Sequence, residues 1–346
     1  MIREAIAQVV AGEALGEADA AAVMEEIMTG MATPSQLGAF LTALRLKGET
    51  VDEVTGLARV MREKALHVAL PDATAAVDTC GTGGDAAGTF NVSTAAGLVV
   101  AAGGQPVAKH GNRAASSRCG SADVLEALGV KIELTPEQVE ACIAHVGFGF
   151  MFAPAFHPAM RHVGPTRREI GIRTIFNILG PLTNPAGARY QVLGVADARL
   201  VPLMGEALLR LGCARALVVF GEDGVDELSL AAPTRVCEVD GRAGTLREQR
   251  VAPADFGLAT QERARVLGGD AQQNAALLGS VFAGQETGAP ADMVALNSGA
   301  ALYVSGHAAS IGDGVRRAHD ILRSGRVTGT VQALVAHTRQ YATATA

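Results

Sequence analysis

At 346 residues, with 49% hydrophobic and 18% charged positions, the chain can bury one large core or two moderate ones. Aromatics make up only 4% and tryptophan is absent, so small residues carry much of the packing. A net charge of −6 without a basic block argues against a nucleic-acid surface. No apolar run of 18 or more residues and no signal-peptide pattern is present, so a cytoplasmic protein without a membrane partner is expected. Five cysteines, at 80, 119, 142, 213 and 237, include no C-x-x-C pair. Reduced thiols are expected, Cys80 beside a glycine loop among them, and a zinc site is not.

The first 65 residues carry helical periodicity. Ile2, Ile6, Val9 and Val10 form one stripe, and Ala18 to Met28 a second helix. Thr33-Pro34-Ser35 opens a third, with Leu37, Phe40, Leu41 and Leu44 on its face, and Thr50-Val51-Asp52-Glu53 caps a fourth. Four short helices with wide apolar stripes cannot cover one another. The remainder is expected either to form a subunit interface or to pack on the rest of the chain.

Beyond Leu70-Pro71-Asp72, read as a linker, strands alternate with helices, which predicts a parallel sheet. Ala75 to Asp78 reads as a strand that Gly81-Thr82-Gly83-Gly84-Asp85 interrupts. Glycines without a Cβ let backbone N–H groups turn toward an anion and approach it closely. Asn91-Val92-Ser93-Thr94 then opens a helix with hydroxyl caps, and its free N–H donors suit phosphate. A second unit repeats this logic: a strand from Gln105 to Lys109, a donor-rich loop from His110 to Ser117, and a helix capped by Ser121 and ended by Gly129. Two phosphate cradles suggest a ligand with two phosphate groups. Neither is a P-loop, and neither fits the dinucleotide fingerprint.

Further strands are expected at Lys131 to Leu134, Phe148 to Phe152, Gln191 to Val195 and Arg215 to Phe220, with helices from Thr135 and over 200–211. Residues 160–187 revert to helices broken by glycine and proline. Gly221 to Ser229 holds four carboxylates in six positions, Glu222, Asp223, Asp226 and Glu227. Such a cluster is either a solvated turn or a cation site. Its position after a buried strand favours the latter, with Asp226 and Glu227 suited to Mg²⁺, which takes one or two carboxylates plus substrate oxygens. Val236 to Arg247 reads as a hairpin about Asp240-Gly241. Helices follow over 270–284, 290–305 and 309–324, and the tail from Thr338 is expected to fray.

The ordered set G-T-G-G-D, N-V-S-T, K-H-G-N-R-A-A-S-S and G-I-R-T-I-F-N-I-L-G-P-L-T-N-P resembles the anthranilate phosphoribosyltransferase family over almost the whole chain. The resemblance implies a small all-helical domain joined to a larger α/β domain with a mostly parallel central sheet flanked by helices. The helical domain would span 1–69, completed by about 160–187, and the α/β domain 70–159 and 188–346. It implies a homodimer through the helical domain and two Mg²⁺ ions per monomer. The implied reaction joins anthranilate to 5-phospho-α-D-ribose 1-diphosphate, giving N-(5-phospho-β-D-ribosyl)anthranilate and pyrophosphate, in tryptophan biosynthesis.

Carried over by position, the sugar diphosphate would meet Gly81, Gly84, Asp85, Thr89, Asn91, Val92, Ser93, Thr94, Lys109, His110, Gly111, Asn112, Arg113, Ala114, Ala115, Ser116, Ser117 and Ser121. Ser93 and Glu227 would hold one metal ion, and Asp226 with Glu227 the other. Gly81, Asn112 and Arg167 would bind anthranilate, near an entry channel past His110, Pro154 and His157. Displacing pyrophosphate from an anomeric carbon needs positioning and charge stabilisation rather than an acid, base or nucleophile. Lys109 and Arg167 would supply these, the latter forking onto a carboxylate. A pyrimidine nucleoside phosphorylase of the same fold is a rival reading, which K-H-G-N-R-A-A-S-S disfavours. So is a non-catalytic nucleic-acid-binding relative, which the negative charge disfavours.

Overall fold

The computed structural model describes residues 1–70, 76–114 and 117–342. Four helices open the chain: α1 (Ile2–Val10), α2 (Glu17–Met28), α3 (Pro34–Lys47) and α4 (Val51–Glu63). Thr33 with Gln36 and Thr50 with Glu53 form capping boxes that start α3 and α4. Glu53 is fully buried, where its carboxylate takes the Leu15 N–H at 3.0 Å and the Lys47 ammonium at 2.9 Å.

The rest alternates: β1 (Val77–Gly81), α5 (Val92–Ala102), β2 (Val107–Gly111), α6 (Ser121–Ala127), α7 (Pro136–Val146), β3 (Phe148–Phe152), α8 (Ala153–Phe156), α9 (Gly164–Ile170), α10 (Phe176–Leu179), β4 (Tyr190–Gly194), α11 (Leu200–Arg210) and β5 (Arg215–Gly221). The hairpin β6 (Thr234–Asp240) and β7 (Thr245–Val251) follows, then α12 (Ala271–Phe282), α13 (Ala289–Val304), α14 (Ile311–Arg323) and α15 (Arg326–Arg339). One sheet runs β3-β2-β1-β4-β5-β6-β7, parallel from β3 through β5, with the hairpin adding two antiparallel strands.

The chain winds outward from β1 to β3, then returns to place β4 on the other side of β1. The strand order therefore reverses between β1 and β4, and in such sheets ligands sit beyond the strands' carboxyl ends at that reversal. One face of the sheet packs on α5 and α13. The other shares a single apolar core with α11 and the helical domain, in which Leu193, Val218 and Val239 join Leu41, Leu57 and Met204. Much of the apolar surface of the opening helices is therefore covered within the chain. Val10 (70% exposed), Met31 (66%) and Leu46 (82%) stay open, all in the first 47 residues. Val163, Ile175, Phe176 and Leu179 also enter this second core.

Several expected elements differ. Strand β1 runs through Gly81 rather than stopping at Asp78, and β2 starts at Val107 and runs past Lys109 through Gly111, so His110 is a strand residue rather than a loop residue; Ala75 lies outside the described residues. Lys131 to Leu134 forms no strand: its Ile132 and Leu134 are buried, but Lys131 gives its N–H to the Thr338 hydroxyl at 3.2 Å, not to β3. That hydroxyl belongs to α15, a helix that the reading stopping at residue 324 missed, although Val327, Val331, Leu334 and Val335 keep helical spacing. Thr338 is 1% exposed, and α15 with the 3-10 turn after it covers the first five residues of the segment expected to fray; residues 343–346 lie outside the described residues. Ser121 is the first residue of α6, not its cap. The N-cap is Gly120, and the Asp123 carboxylate accepts from the Gly120 and Ala114 N–H groups at 2.8 and 2.9 Å.

Candidate active site

The carboxyl ends of β1, β2, β4 and β5 meet where the strand order reverses. Gly81 and Gly194 are register partners at the ends of β1 and β4. A Cβ on Gly81 would collide with the Asp226 carboxylate, and one on Gly194 with the Asp226 backbone carbonyl. Both glycines are bare because the segment after β5 crosses over them. Gly194 carried no flag in the sequence, since its neighbour lies 32 positions away. Gly83, Gly84 and Gly88 have φ of +65°, +71° and +69°, and Ala86 joins them at +54°. The Gly83 N–H donates to Asp226 Oδ2 at 2.8 Å, and the Asp226 N–H reaches Asp85 Oδ2 at 3.4 Å.

The first turn of α5 lies beside this acid pair. Asn91 is its N-cap but makes no side-chain capping bond. Instead the Ser93 N–H donates to Glu227 Oε1 at 3.1 Å, so a carboxylate from the loop after β5 replaces the expected hydroxyl cap. The Asn91 amide ties loops together, donating to the Cys119 carbonyl at 3.1 Å and accepting from Asn274 at 2.9 Å. Val92 and Thr94 are buried, while Thr89 bridges to Leu267. The acidic loop divides in two. Glu222 is spent on Arg250, at 2.7 and 2.8 Å, whereas Glu227 is 8% exposed and faces inward with Asp226. Burial first, then the neighbouring Asp85 charge, pushes the Asp226 carboxyl up to about 7. Burial and Asp226 push Glu227 well above the carboxylate range. Two carboxylates held against their charge are poised for a cation. No group of three or more His, Cys, Asp or Glu among the described residues forms a metal cage by itself. A hard cation there needs oxygen donors from elsewhere, and Mg²⁺ ordinarily draws them from substrate and water.

Lys109, on β2, is 1% exposed. Its Nζ donates to the Thr79 carbonyl and reaches Ser93 Oγ at 3.3 Å. Burial pulls its pKa down, and the nearby Asp78 charge pulls it back up. Asp78 is itself wholly buried, accepting from Asn184 Nδ2 at 2.8 Å and from the His110 N–H at 3.4 Å. Arg113, four positions on, is different. Its guanidinium is exposed and forks onto Glu126, with Asp123 at 3.3 Å. Gly111 is bare against Phe150 and Ser121. The Asn112 carbonyl takes the Ser121 hydroxyl at 3.2 Å, and its Oδ1 takes the Arg113 N–H at 2.7 Å. Ser117 is exposed and Ala114 half-buried; Ala115 and Ser116 lie outside the described residues.

On the helical side, Arg167 sits in α9 with its guanidinium 5.4 Å from the Phe176 ring centre. No carboxylate lies in ion-pair reach among the described residues, and burial lowers its pKa. His110 and His157 stand 5.0 Å apart, ring centre to ring centre. His110 Nδ1 lies 3.2 Å from the Gly180 carbonyl oxygen, and the Nε2 atom of each ring is buried without a partner. Burial drives His110 down to about 3 and His157 to about 4, so both rings are neutral. Pro154 is exposed in α8, three positions before His157. Sequence reasoning passed over Arg173, whose Nη2 donates to the Gly83 carbonyl at 2.9 Å. Its signal was present in G-I-R-T, but a segment 90 positions away cannot be linked to a glycine turn without the fold.

A glycine turn, a helix start, a buried lysine and an inward acid pair, with Arg167 and Arg173 free of ion pairs among the described residues, make a donor set suited to an anionic ligand that carries a metal ion. Residues 3–65 match the glycosyl transferase family helical bundle domain, and residues 73–328 that family's a/b domain. The anthranilate phosphoribosyltransferase of Rubrobacter xylanophilus is 54% identical over 342 residues, covering 99% of each chain. That of Chloroflexus aggregans is 56% identical over 98% of each. Among solved structures, the Thermus thermophilus enzyme superposes with a TM-score of 0.91 at 47% identity, over 97% of this chain and 99% of that one. The Saccharomyces cerevisiae enzyme in complex with PRPP and Mg reaches 0.89 at 25% identity over 98% of each. The chain belongs to the anthranilate phosphoribosyltransferases, pentosyltransferases of tryptophan biosynthesis that move a 5-phosphoribosyl group onto the amine of anthranilate.

Proposed function

We propose that the phosphoribosyl diphosphate lies across the ends of β1, β2 and β5, with anthranilate between it and α9. The observation that carries this reading is a run of contacts between segments far apart in sequence: Asp226 holds the glycine turn at Gly83, its neighbour Glu227 takes the Ser93 N–H, and Ser93 Oγ meets Lys109. The backbone of 81–85 and the start of α5 bind the diphosphate, Thr89 and Asn91 line that side, and residues 109–114, 117 and 121 flank it. Ser93, Asp226 and Glu227 hold two Mg²⁺ ions, whose hard oxygen ligands these side chains supply; bound there, Mg²⁺ provides positive charge for a departing pyrophosphate. Lys109 keeps a fixed cation beside Ser93, and desolvation strengthens its pull on the leaving group.

Arg167 seats the anthranilate carboxylate by a bidentate contact, with Gly81 and Asn112 beside the ring. The amine of anthranilate is already neutral: its lone pair forms the bond to C1 of the ribose as the C1–O bond to pyrophosphate breaks. The acidic anilinium proton then passes to the departing pyrophosphate or to water, so no side chain acts as general base. The neutral pair His110 and His157, with Pro154, walls the aromatic entry without adding charge.

Residues 160–187 complete the helical domain of 1–69, a division supported by the apolar core they share. The open faces of Val10, Met31 and Leu46 support a homodimer through that domain. Five buried free cysteines support a reducing, cytoplasmic location. Among the described residues no helix is long and apolar enough to cross a membrane. The test is to mix the protein with Mg²⁺, the sugar diphosphate and anthranilate and follow anthranilate fluorescence. Loss of signal that requires all components supports the reading. An unchanged signal together with phosphorolysis of thymidine would overturn it. Sedimentation as a strict monomer at micromolar concentration would remove the dimer.

A further inference from the structure

Arg173 is an exposed cation resting on the most constrained turn of the site. It lies between α9 and α10, two residues after Gly171, whose φ of +65° turns the chain toward the α/β domain. Its Nη2 holds the Gly83 carbonyl at 2.9 Å, and its Nη1 occupies the space where a Cβ on Gly84 would stand. Gly83 gives its N–H to Asp226 on the other side. The turn is therefore pinned between the acid pair and this guanidinium. No Asp or Glu lies in ion-pair reach of Arg173 among the described residues, so its charge is uncompensated. A guanidinium carries five donors in a rigid fork, and here one neutral carbonyl occupies it. Arg167, six positions earlier on the same segment, is the residue proposed above for the anthranilate carboxylate, so on that reading the segment presents one arginine to each end of the reaction.

We propose that Arg173 is a further substrate-contacting residue, which forks onto the diphosphate of the sugar donor and clamps it against the glycine turn. This rests on the sugar diphosphate being the donor. The role differs from that of Arg167, because the ligand it selects is the leaving group rather than the acceptor.

The test is calorimetry of pyrophosphate with Mg²⁺ on the full chain, beside steady-state kinetics, for wild type, Arg173→Gln and Arg173→Lys. Loss of one charge-assisted contact should weaken pyrophosphate about tenfold, or about 1.4 kcal/mol, and raise KM for the sugar diphosphate to match. KM for anthranilate should stay within about twofold, and lysine should restore part of the loss. Thermal melting within a few degrees of wild type shows that each variant is folded. Unchanged pyrophosphate affinity in folded Arg173→Gln overturns the clamp, as does a rise in the anthranilate KM alone. If wild type binds pyrophosphate but consumes no anthranilate, the acceptor assignment fails while calorimetry still decides the clamp. If wild type binds no pyrophosphate, both fall.

Discussion

Lys109 and Arg113 stand four positions apart in one motif, yet the fold uses them in opposite ways. Lys109 ends up on a central strand, closed from water, beside a wholly buried Asp78 and next to Ser93 at the acid pair. Arg113 ends up outside, its fork spent on Glu126 and Asp123. The same division separates Asp226 and Glu227 from Glu222, which Arg250 satisfies. Asp226 and Glu227 have no cationic partner within ion-pair distance among the described residues, whereas Glu222 and Arg113 are each held by an opposite charge.

The sharpest way to break this comparison is to neutralise the inward acid pair. Asp226→Asn with Glu227→Gln should cut kcat at least about a hundredfold and flatten its dependence on Mg²⁺ concentration, since several kcal/mol of charge stabilisation depend on the cation. Glu222→Gln should leave the same titration unmoved. Next, Lys109→Met should lower kcat/KM about a hundredfold and also cost stability, about 1–3 kcal/mol, because it leaves the buried Thr79 carbonyl without its donor. Arg113→Met should stay within about threefold in rate, as an exposed pair contributes little. Equal losses in the two variants would erase the distinction.

Arg167→Ala should raise KM for anthranilate about tenfold or more, with much less change for the sugar diphosphate. An equal rise for both would contradict its placement. The histidine pair gives a pH test. Folded, both rings titrate near 3 to 4, against about 6.5 unfolded, so the unfolded chain binds more protons between these values. Their contribution is complete above about pH 6.5 and is lost as pH falls toward 4. At pH 5 it should be smaller by about 1–2 kcal/mol per ring. Melts of wild type and of His110→Gln with His157→Gln should converge in acid; parallel pH curves would show that the rings are not held neutral. The smallest effect on stability is expected at Asp123→Ala, which removes the acceptor of the Gly120 and Ala114 N–H groups at the start of α6 and should cost about 1 kcal/mol.

Much of this molecule was legible without coordinates. The capping boxes at Thr33 and Thr50, the helical stripes, and the alternation after residue 76 follow from local chemistry that repeats every two or 3.6 residues. The glycine turn and the acids after β5 could likewise be named, but composition left the acids open between a solvated turn and a cation site until the fold set Asp226 against Gly83 and Glu227 against Ser93. Where strand-forming residues sat next to a long helix, local reading failed. Lys131 to Leu134 has strand-like residues but lies against α15, whose backbone pairs within itself and offers no strand edge.

Periodicity and motif thus determined the helical and α/β halves and the identity of the chemical groups. Tertiary structure alone decided which of those groups remain unspent: Lys109 rather than Arg113, Asp226 and Glu227 rather than Glu222, and Arg173 on a turn 90 residues away. The reason is that a charge becomes available or satisfied through neighbours brought from distant parts of the chain. Spacing along a sequence carries no record of those neighbours.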